Sequence, residues 1–207
     1  MRVVVFANQK GGVGKTTLCG HMGVMADQKQ AGPVVLVDGD PQANLSVWWN
    51  DRQAQTPLFA SADIANLASQ LKELKANGVQ LVCIDTPAGT SDAIKVAISL
   101  ADLVVIPTRP SPHDLRALGA TIDIAEAHGK RMVFVINGAA NRAKLTGQAA
   151  VALSQHGTVA PIIIVQRTEF AESMIDGRTV QESNPSGKSA AEVEELWTYL
   201  AGQLKKI

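Results

Sequence analysis

The sequence predicts an α/β protein built on a single doubly wound, mostly parallel sheet with helices on both faces. Three features support this prediction: short apolar runs rich in Val and Ile, patterns of helical spacing that alternate with them, and a Gly-rich turn directly after the first run. Continuous apolar runs indicate strands buried on both faces, and alternation with helices implies right-handed crossovers between parallel strands. Because ligands of such sheets bind at the carboxyl ends of the strands, polar residues at those ends are the first candidates for a site.

The elements follow one another in the order that this fold needs. "RVVVFA" (2–7) is the first strand, and "TTLCGHMGVMADQKQ" (16–30) is the helix behind the Gly-rich turn. Further strands are predicted at 33–38, 79–85, 102–107, 131–137 and 159–165, and further helices at 62–77, 91–101, 113–128, 142–156, 168–175 and 188–205. No repeat, low-complexity segment or linker divides the chain, so residues 1–207 are predicted to form one domain.

Charge and cysteine content limit the possible functions. Lys+Arg and Asp+Glu both number 19, so no overall field attracts nucleic acid or an anionic membrane, and such binding must come from a local patch or an assembly. Cys19 and Cys83 are the only cysteines and lack metal-binding spacing, which predicts a reduced, cytosolic compartment. No apolar run approaches the roughly 18 residues of a membrane span. The histidines show no zinc spacing and are predicted to be structural: His21, His113, His128 and His156.

The stretch "FANQKGGVGKTTLCG" (6–20) predicts a phosphate-binding loop between the first strand and the first helix. It ends in Gly-Lys-Thr as such loops do, but Gln9 replaces the usual first glycine and Lys10 adds a second lysine. Lys15 is predicted to reach the β and γ phosphates, and the Thr16 hydroxyl is predicted to bind Mg²⁺. The residues predicted to bind the nucleotide here are Gly11, Gly12, Val13, Gly14, Lys15, Thr16 and Thr17.

Residues at other strand ends extend this predicted site. Asp85 ends "LVCID" and is predicted to hold the metal through water, as P-loop NTPases require of an acidic residue on another buried strand. The guanine-reading tetrapeptide Asn-Lys-x-Asp is absent, whereas Asn137 ends "VFVIN" and its amide offers the adenine edge a donor and an acceptor. A structural Asn that caps the next turn is the alternative. Pro107, with Pro110 and Pro112, stiffens the chain beside the expected adenine pocket.

With "KGGVGKTT", "VDGDPQANLS" and "IDTPAG" in this order, the chain resembles the deviant Walker A ATPases, the ParA/MinD family of P-loop proteins. The form Lys-Gly-Gly-x-Gly-Lys-Thr is highly specific for that family. The resemblance spans nearly the whole chain and is closest to the short ParF-like plasmid partition ATPases, as "DLVVIPTRPSPHDLRALG" and "VQRTEFAESMIDGRTVQES" indicate. Those proteins lack the amino-terminal helix-turn-helix extension of longer relatives, and none is expected here.

The resemblance implies roles for further residues. In the family the inner lysine, matched here by Lys10, crosses into the partner subunit and contacts its ATP phosphates, which makes dimerisation depend on ATP. Asp38 would lie near Mg²⁺, and Asp40 would help to position the attacking water. The catalytic residues implied are therefore Lys10, Lys15, Asp38 and Asp40, and the metal residues are Thr16, Asp38 and Asp85. Slow turnover is expected because no intrinsic arginine finger is evident; for Arg109 and Arg116 a surface role is favoured.

The resemblance implies a cytoplasmic, Mg²⁺-dependent ATPase for DNA partition. ATP would drive formation of a sandwich dimer that binds DNA without sequence preference on the nucleoid, and a ParB-like centromere-binding partner would stimulate hydrolysis. In ParF-like proteins the proline-rich segment helps to form the dimer and higher assemblies. The basic candidates for DNA contact, for each of which an ordinary surface position is favoured, are Lys130, Arg131, Arg142, Lys144, Arg167, Arg178 and Lys188.

Other functions compete with DNA partition. A MinD-like membrane-cycling ATPase needs a basic amphipathic tail. The final segment has an apolar stripe, but the glutamates on its polar face would be repelled by anionic lipid, so a helix packed on the domain and no membrane partner are predicted. The stripe comprises Val193, Leu196, Trp197, Leu200 and Leu204, and the glutamates are Glu192, Glu194 and Glu195. ParA-like positioning of another cargo, such as carboxysomes, chemotaxis arrays or conjugation machinery, stays open.

Two features carry weaker predictions. An iron–sulfur reductase would need cysteines at a dimer interface, and Cys19 and Cys83 fall on a helix and inside a strand instead. Trp48 and Trp49 form an aromatic pair in a chain with only 4% aromatic residues. They suit a partner surface, but packing under the following loop is favoured.

Overall fold

Eight strands form the central sheet in a computed structural model that describes residues 1–62, 64–89, 92–140 and 144–207. The strands are β1 (Arg2–Phe6), β2 (Val34–Asp38), β3 (Leu58–Ser61), β4 (Leu81–Asp85), β5 (Leu103–Thr108), β6 (Arg131–Ala139), β7 (Thr158–Val159) and β8 (Ile164–Val165). Their order is β3-β2-β4-β1-β5-β6-β7, with β8 also paired to β6. Every pairing between these described strands is parallel, which confirms the predicted sheet.

Helices cover both faces of the sheet, as predicted. They are α1 (Lys15–Gln28), α2 (Asn44–Asn50), α3 (Leu67–Ala76), α4 (Asp92–Leu100), α5 (Pro112–Arg116), α6 (Gly119–Ala127), α7 (Lys144–Ser154), α8 (Glu169–Ser173), α9 (Val180–Ser183) and α10 (Lys188–Leu204), with 3₁₀ turns at Ile64–Asn66 and Met174–Asp176. The cluster on one face contains side chains of α1, α2, α9 and α10, and the cluster on the other contains side chains of α3, α4, α6 and α7.

The central strands are apolar without interruption because both of their faces are buried. Along β1, Val4 and Phe6 belong to the cluster that contains α1, whereas Val3 and Val5 belong to the opposite cluster. Successive side chains of a strand point to opposite faces, so a strand between two helical layers needs apolar residues at every position. Full burial of each such side chain stabilises the fold by about 1.5–3 kcal/mol.

Two predicted elements are wrong in their extent. The strand predicted at 159–165 is two short strands, β7 and β8, because Pro161 interrupts it and a proline cannot donate a ladder hydrogen bond. The helix predicted at 113–128 is divided into α5 and α6. Before Gly119 the backbone tightens: Leu118 N–H donates to Leu115 O, three residues back. Glycine is a poor helix former, which favours a break at this position.

The sequence reasoning missed the short helix α9, the edge strand β3 and helix α2. The edge strand β3 has only four residues, and none of them is fully buried, so its apolar signal is weak. Helix α2 follows β2 after a turn in which Ala43 has a φ of 54°. It contains both tryptophans of the aromatic pair, and the predicted packing is confirmed. Trp48 is buried and donates its indole N–H to Arg178 O at 3.0 Å, while Trp49 stacks on Phe59 with ring centroids 5.2 Å apart.

The carboxyl-terminal helix α10 packs on the body of the protein, as predicted. All five residues of its apolar stripe are buried in the same cluster as α1: Val193, Leu196, Trp197, Leu200 and Leu204. The stripe therefore faces the core and not solvent. No helix in the described ranges combines the length and the apolar character needed to cross a bilayer.

Candidate functional site

The sheet register places the predicted acidic residues side by side. Asp38 at the end of β2 is the register partner of Asp85 at the end of β4, and Asp85 is the partner of Phe6 at the end of β1. The phosphate loop follows β1 directly, and α1 begins at Lys15. Parallel strands end at one edge of the sheet, so two carboxylates separated by 47 positions meet beside the loop.

The loop adopts a backbone conformation that strongly favours glycine. Gly12 and Gly14 have φ values of 72° and 95°, in the left-handed region. A Cβ atom on Gly14 would lie 2.1 Å from Nδ2 of Asn137, because that amide donates a 2.7 Å hydrogen bond to the carbonyl of Val13. Asn137 therefore supports the loop from β6. Its predicted role at the adenine remains a prediction, with the amide N–H already bound to the protein.

Lys15 lies at the start of α1 and is buried, with 7% of its surface exposed. Its Nζ donates to the carbonyl of Lys10 at 3.3 Å. Burial lowers the pKa of Lys15, and the nearby carboxylates of Asp85 and Asp40 oppose that change. A buried cation that is bound to a backbone carbonyl and lies in the field of two carboxylates is suited to receive phosphate oxygens.

Asp85 is fully buried and interacts with the first turn of α1. Thr16 Oγ1 donates to Asp85 Oδ2 at 2.6 Å. Burial raises the pKa of Asp85 to about 7; the Thr16 hydrogen bond and Lys15 lower it, while Asp38 and Asp40 raise it further. Its other oxygen, Oδ1, has no hydrogen-bond partner among the described residues.

The chemistry of Thr16 and Asp85 fits a hydrated divalent cation. An orphaned carboxylate oxygen beside a hydroxyl is a favourable environment for Mg²⁺ or one of its waters. Within the described ranges no group of three or more His, Cys, Asp or Glu residues forms a metal cluster. Mg²⁺ does not need such a cluster, because it usually binds one or two carboxylates together with substrate phosphates and waters.

The two aspartates after β2 have different surroundings. Asp38 is buried, and its carboxylate accepts from Asp40 N at 3.0 Å and from the N–H and Oγ of Ser46, each at 2.8 Å. Asp38 thus fixes the segment that leads into α2. Asp40 is half-buried, accepts from Gln42 N at 2.9 Å and lines the cleft above Lys15. Of the two, Asp40 is the carboxylate that faces the cleft.

The phosphate loop forms one wall of a cleft of about 450 Å³. A second wall comes from the segment 165–174, and Arg109 and Gly138 also line the cleft. The lining residues are Gly11, Gly12, Gly14, Lys15, Thr16, Thr17, Asp40, Gln42, Asn44, Ala88, Arg109, Asn137, Gly138, Val165, Gln166, Arg167, Phe170, Ala171 and Met174. Five predicted site residues are outside this lining. Lys10 is exposed to solvent, whereas the other four are buried: Val13, Asp38, Asp85 and Pro107.

Residues that no motif contains support the loop. Asn8 is fully buried; its Nδ2 donates to Pro107 O and its Oδ1 accepts from Lys10 N, both at 2.8 Å. Thr121 of α6 accepts from Gln9 N at 3.2 Å. A polar residue directly after a buried strand is a signal for Asn8, whereas Thr121 is distant in sequence and gives none. Pro107 therefore acts on the loop through Asn8.

The candidate DNA contacts differ in their availability. Arg167 is paired with Glu192 and Arg178 with Asp176, each with a closest N–O distance of 2.7 Å. Arg142 lies outside the described residues. Lys130 is half-buried, and the exposed candidates are Arg131, Lys144 and Lys188. Two of the six candidates that the structure describes are thus bound to carboxylates of the same chain.

The parallel sheet, the glycine loop at the start of α1 and the Lys15–Thr16–Asp85 group define a P-loop nucleotide-binding protein. The family model described as "CobQ/CobB/MinD/ParA nucleotide binding domain" matches residues 4–180. The chain belongs to this family, and the predicted membership is confirmed. It is a ParA/MinD-type nucleotide-binding ATPase.

The curated relatives include carboxysome distribution proteins and a ParA protein. The chain is 31% identical to the "Maintenance of carboxysome distribution protein A" of Halothiobacillus neapolitanus, over 90% of this chain and 89% of that protein. It is 30% identical to "Protein ParA" of Rhizobium radiobacter, over 100% of this chain and 98% of that protein. A carboxysome distribution protein from Gloeobacter kilaueensis is 40% identical, but the match spans only 55% of its length.

Solved structures share the fold. The cell division ATPase MinD of Pyrococcus furiosus superposes with a TM-score of 0.81, covering 98% of this chain and 99% of that chain at 20% sequence identity. At this identity the likeness supports the architecture alone.

Proposed function

We propose that the protein is a ParA-type ATPase that partitions DNA by switching between a monomer and an ATP-bound dimer. The observation that carries this proposal is the loop itself, with Lys15 buried beneath the cleft and Lys10 exposed outside it. One lysine is placed for the nucleotide of its own subunit. The other is free to reach a second subunit, which accounts for an extra cation in the loop.

The chemistry proposed for the cleft is Mg²⁺-dependent hydrolysis of ATP. Thr16 and Asp85 would hold Mg²⁺, with Asp38 behind them, and the ion would neutralise phosphate charge. Lys15 would bind the β and γ phosphates. Asp40 would orient the attacking water, since it is the carboxylate after β2 that faces the cleft. Phosphoryl transfer depends on positioning and charge neutralisation, so without a further cation we expect slow turnover.

The proposed cycle couples this chemistry to DNA. ATP binding would bring two subunits together and double a modest basic patch, which is how a chain with zero net charge could bind DNA without sequence preference on the nucleoid. A ParB-like partner would stimulate hydrolysis and release the dimer. Asn137 and the residues around Pro107 would support the nucleoside side of the site through the loop contacts described above.

The names of two relatives favour a second candidate function, in which the cargo is a protein cluster. Two of the relatives are named for carboxysome distribution, and one of them aligns over nearly the whole chain. The same ATP-driven switch could therefore position a protein cluster instead of DNA. The neighbouring genes discriminate the two: a small DNA-binding protein encoded immediately downstream supports partition, and shell-protein genes support the protein cargo.

The test of the switch is the oligomeric state of the wild type and of Lys10→Ala. Sedimentation and light scattering would be measured with ADP and with a nonhydrolysable ATP analogue, followed by titration with random-sequence DNA at two salt concentrations. Lys72→Ala is the matched control, because it removes an exposed lysine from α3. We expect only the wild type and the control to dimerise with the analogue and to bind DNA in a salt-sensitive way.

Other outcomes would reject parts of this function. A Lys10→Ala protein that dimerises as the wild type does would show that Lys10 is not the cross-subunit switch. A wild type that stays monomeric with the analogue, or dimerises and ignores DNA at low salt, would reject the partition function. In the latter case the protein cargo would become the leading function.

A further inference from the structure

The cleft wall formed by residues 165–174 is attached to the carboxyl-terminal helix by the carboxylate of Glu192. Glu192 of α10 accepts from both terminal nitrogens of Arg167 at 2.7 Å, and its Oε2 also accepts from Val165 N at 3.1 Å. Val165 and Arg167 both line the cleft. The pair is largely shielded from water, with side-chain exposures of 22% for Arg167 and 18% for Glu192.

A second set of contacts ties the same wall to the start of α10. Ser189 Oγ donates to Glu169 Oε2 at 2.6 Å and accepts from Arg167 at 3.4 Å. Between these attachments, Gln166 N donates to Ala139 O at 2.9 Å, which anchors the wall to β6. The wall formed by residues 165–174 is therefore held by the sheet through Gln166 and by the first turns of α10 through Arg167 and Glu169.

The position of this wall bears on the nucleoside part of the ligand. If the phosphates bind at the loop, the rest of the nucleotide extends along the cleft toward Gln166, Phe170 and Met174. An aromatic ring, a thioether and an amide are side chains suited to contact a base and ribose. Their spacing from the loop depends on the attachments that hold the wall, and Glu192 provides three of these hydrogen bonds.

We propose that Glu192 is a positioning residue for the nucleotide, which makes the carboxyl-terminal helix a part of the binding site. The inference rests on the proposed binding of ATP in this cleft. Glu192 serves three donors with two oxygens, which a carboxylate can do and a primary amide cannot. Glutamine has one acceptor oxygen, and its NH₂ group would face the guanidinium of Arg167.

The position of Glu192 determines which kinetic constant depends on it. The residue contacts the wall and not the phosphate loop, so its loss should weaken the binding of ADP and ATP to the same degree. The steps at the γ phosphate involve Lys15, Thr16 and Asp40, none of which touches this wall through a described contact. The KM for ATP should therefore change much more than kcat.

The test compares Glu192→Gln with Glu195→Gln, which alters an exposed glutamate of the same helix. A fluorescently labelled ADP would be titrated into each folded protein, unlabelled ADP and a nonhydrolysable ATP analogue would be measured by competition, and KM and kcat would be obtained for ATP. We expect Glu192→Gln to raise both dissociation constants and KM about tenfold, with kcat changed by less than threefold and Glu195→Gln like the wild type.

The number of sites titrated separates positioning from loss of fold. A variant that merely unfolds in part would bind fewer equivalents with the wild-type dissociation constant, and that result overturns the inference, as would an unchanged dissociation constant at full stoichiometry. A tenfold fall in kcat with KM unchanged would also overturn it. If the wild type itself binds no nucleotide, the proposed function fails first, and the role of Glu192 fails with it.

Discussion

Two buried titratable side chains, His21 within α1 and Asp85 beside its first turn, respond to pH in opposite directions. Burial lowers the pKa of His21 from 6.5 to about 4; its Nδ1 lies 2.7 Å from Thr17 O, and its Nε2 accepts from Val180 N at 3.2 Å. The stability that neutral His21 contributes is present above pH 6.5 and is lost as the pH falls through about 4. His21 thus has the structural role predicted for it.

The contribution of Asp85 to stability depends on pH in the opposite direction. Its pKa is raised by burial from 3.8 to about 7, so its contribution to stability is fully present below pH 3.8 and is lost as the pH rises through about 7. Above that pH an ionised carboxylate with one orphaned oxygen stays buried in the nucleotide-free protein. This loss of stability is consistent with a carboxylate whose charge is needed to bind a cation.

We predict that Asp85→Asn stabilises the nucleotide-free protein more at pH 8 than at pH 4. Asparagine keeps an acceptor for the Thr16 hydroxyl but removes the buried charge, so the gain in the free energy of unfolding should grow by roughly 1–3 kcal/mol over this interval. The measurement is urea unfolding at both pH values without nucleotide or Mg²⁺. Asp123→Asn, at an exposed position of α6, is the control. An equal effect of Asp85→Asn at both pH values would contradict this assignment.

Among the elements, helix α2 is fixed at both of its ends. At its start, Ser46 binds the carboxylate of Asp38. After its end, Arg52 donates to Gly177 O at 2.7 Å, to Thr56 O at 2.9 Å and to both oxygens of Glu182 at 2.8 and 3.1 Å. Helix α2, which follows Asp40, is therefore attached to Gly177 and Glu182, in the segment that follows the cleft wall.

We predict that Arg52→Met lowers the free energy of unfolding by about 3–5 kcal/mol, the usual result of breaking a buried ion pair from one side. The Arg52 side chain is only 2% exposed and also lies over the Trp48 ring, with 5.0 Å between the guanidinium carbon and the ring centroid. Chemical denaturation would measure the effect. Lys95→Ala is the contrast: it breaks the exposed pair with Asp92 and should cost less than about 1 kcal/mol. Similar losses in the two variants would reject the role of the buried pair.

At the scale of the whole molecule, the packing of α10 determines whether its apolar face is available to a membrane. Its apolar stripe lies in the core beside α1, and Lys29, directly after α1, forms an ion pair with Glu194 on the outer side of α10. A helix whose apolar face is buried in the core cannot also insert that face into a bilayer.

We predict that the protein does not bind anionic liposomes, either alone or with a nonhydrolysable ATP analogue. Co-sedimentation with vesicles of anionic phospholipid is the measurement. Trp197→Ala provides the internal comparison, because removal of a buried tryptophan should loosen α10 and cost about 3–5 kcal/mol in stability. Nucleotide-dependent sedimentation of the wild type would contradict the prediction and favour a membrane-cycling ATPase.

The parts predicted correctly have local signals. Burial on both faces requires continuous apolar runs, and these runs predicted the strands β1, β2, β4 and β5. The glycine loop marks the start of α1 and so predicted that helix. The short edge strand β3 and the break before Gly119 were not found. Their formation depends on pairing with β2 and on packing within the fold, which no short window of sequence contains.

By itself the sequence determined the parallel α/β fold, the family and the phosphate loop, because periodicity and a contiguous motif are local properties of the chain. Only the tertiary structure decided how the loop is supported and where its neighbours point. Asn137 holds the loop from β6, Asn8 links the loop to the carbonyl of Pro107 in β5, and Glu192 reaches the cleft wall from the last helix. These contacts join residues far apart in the sequence, and only the folded sheet and the packing of α10 bring them together.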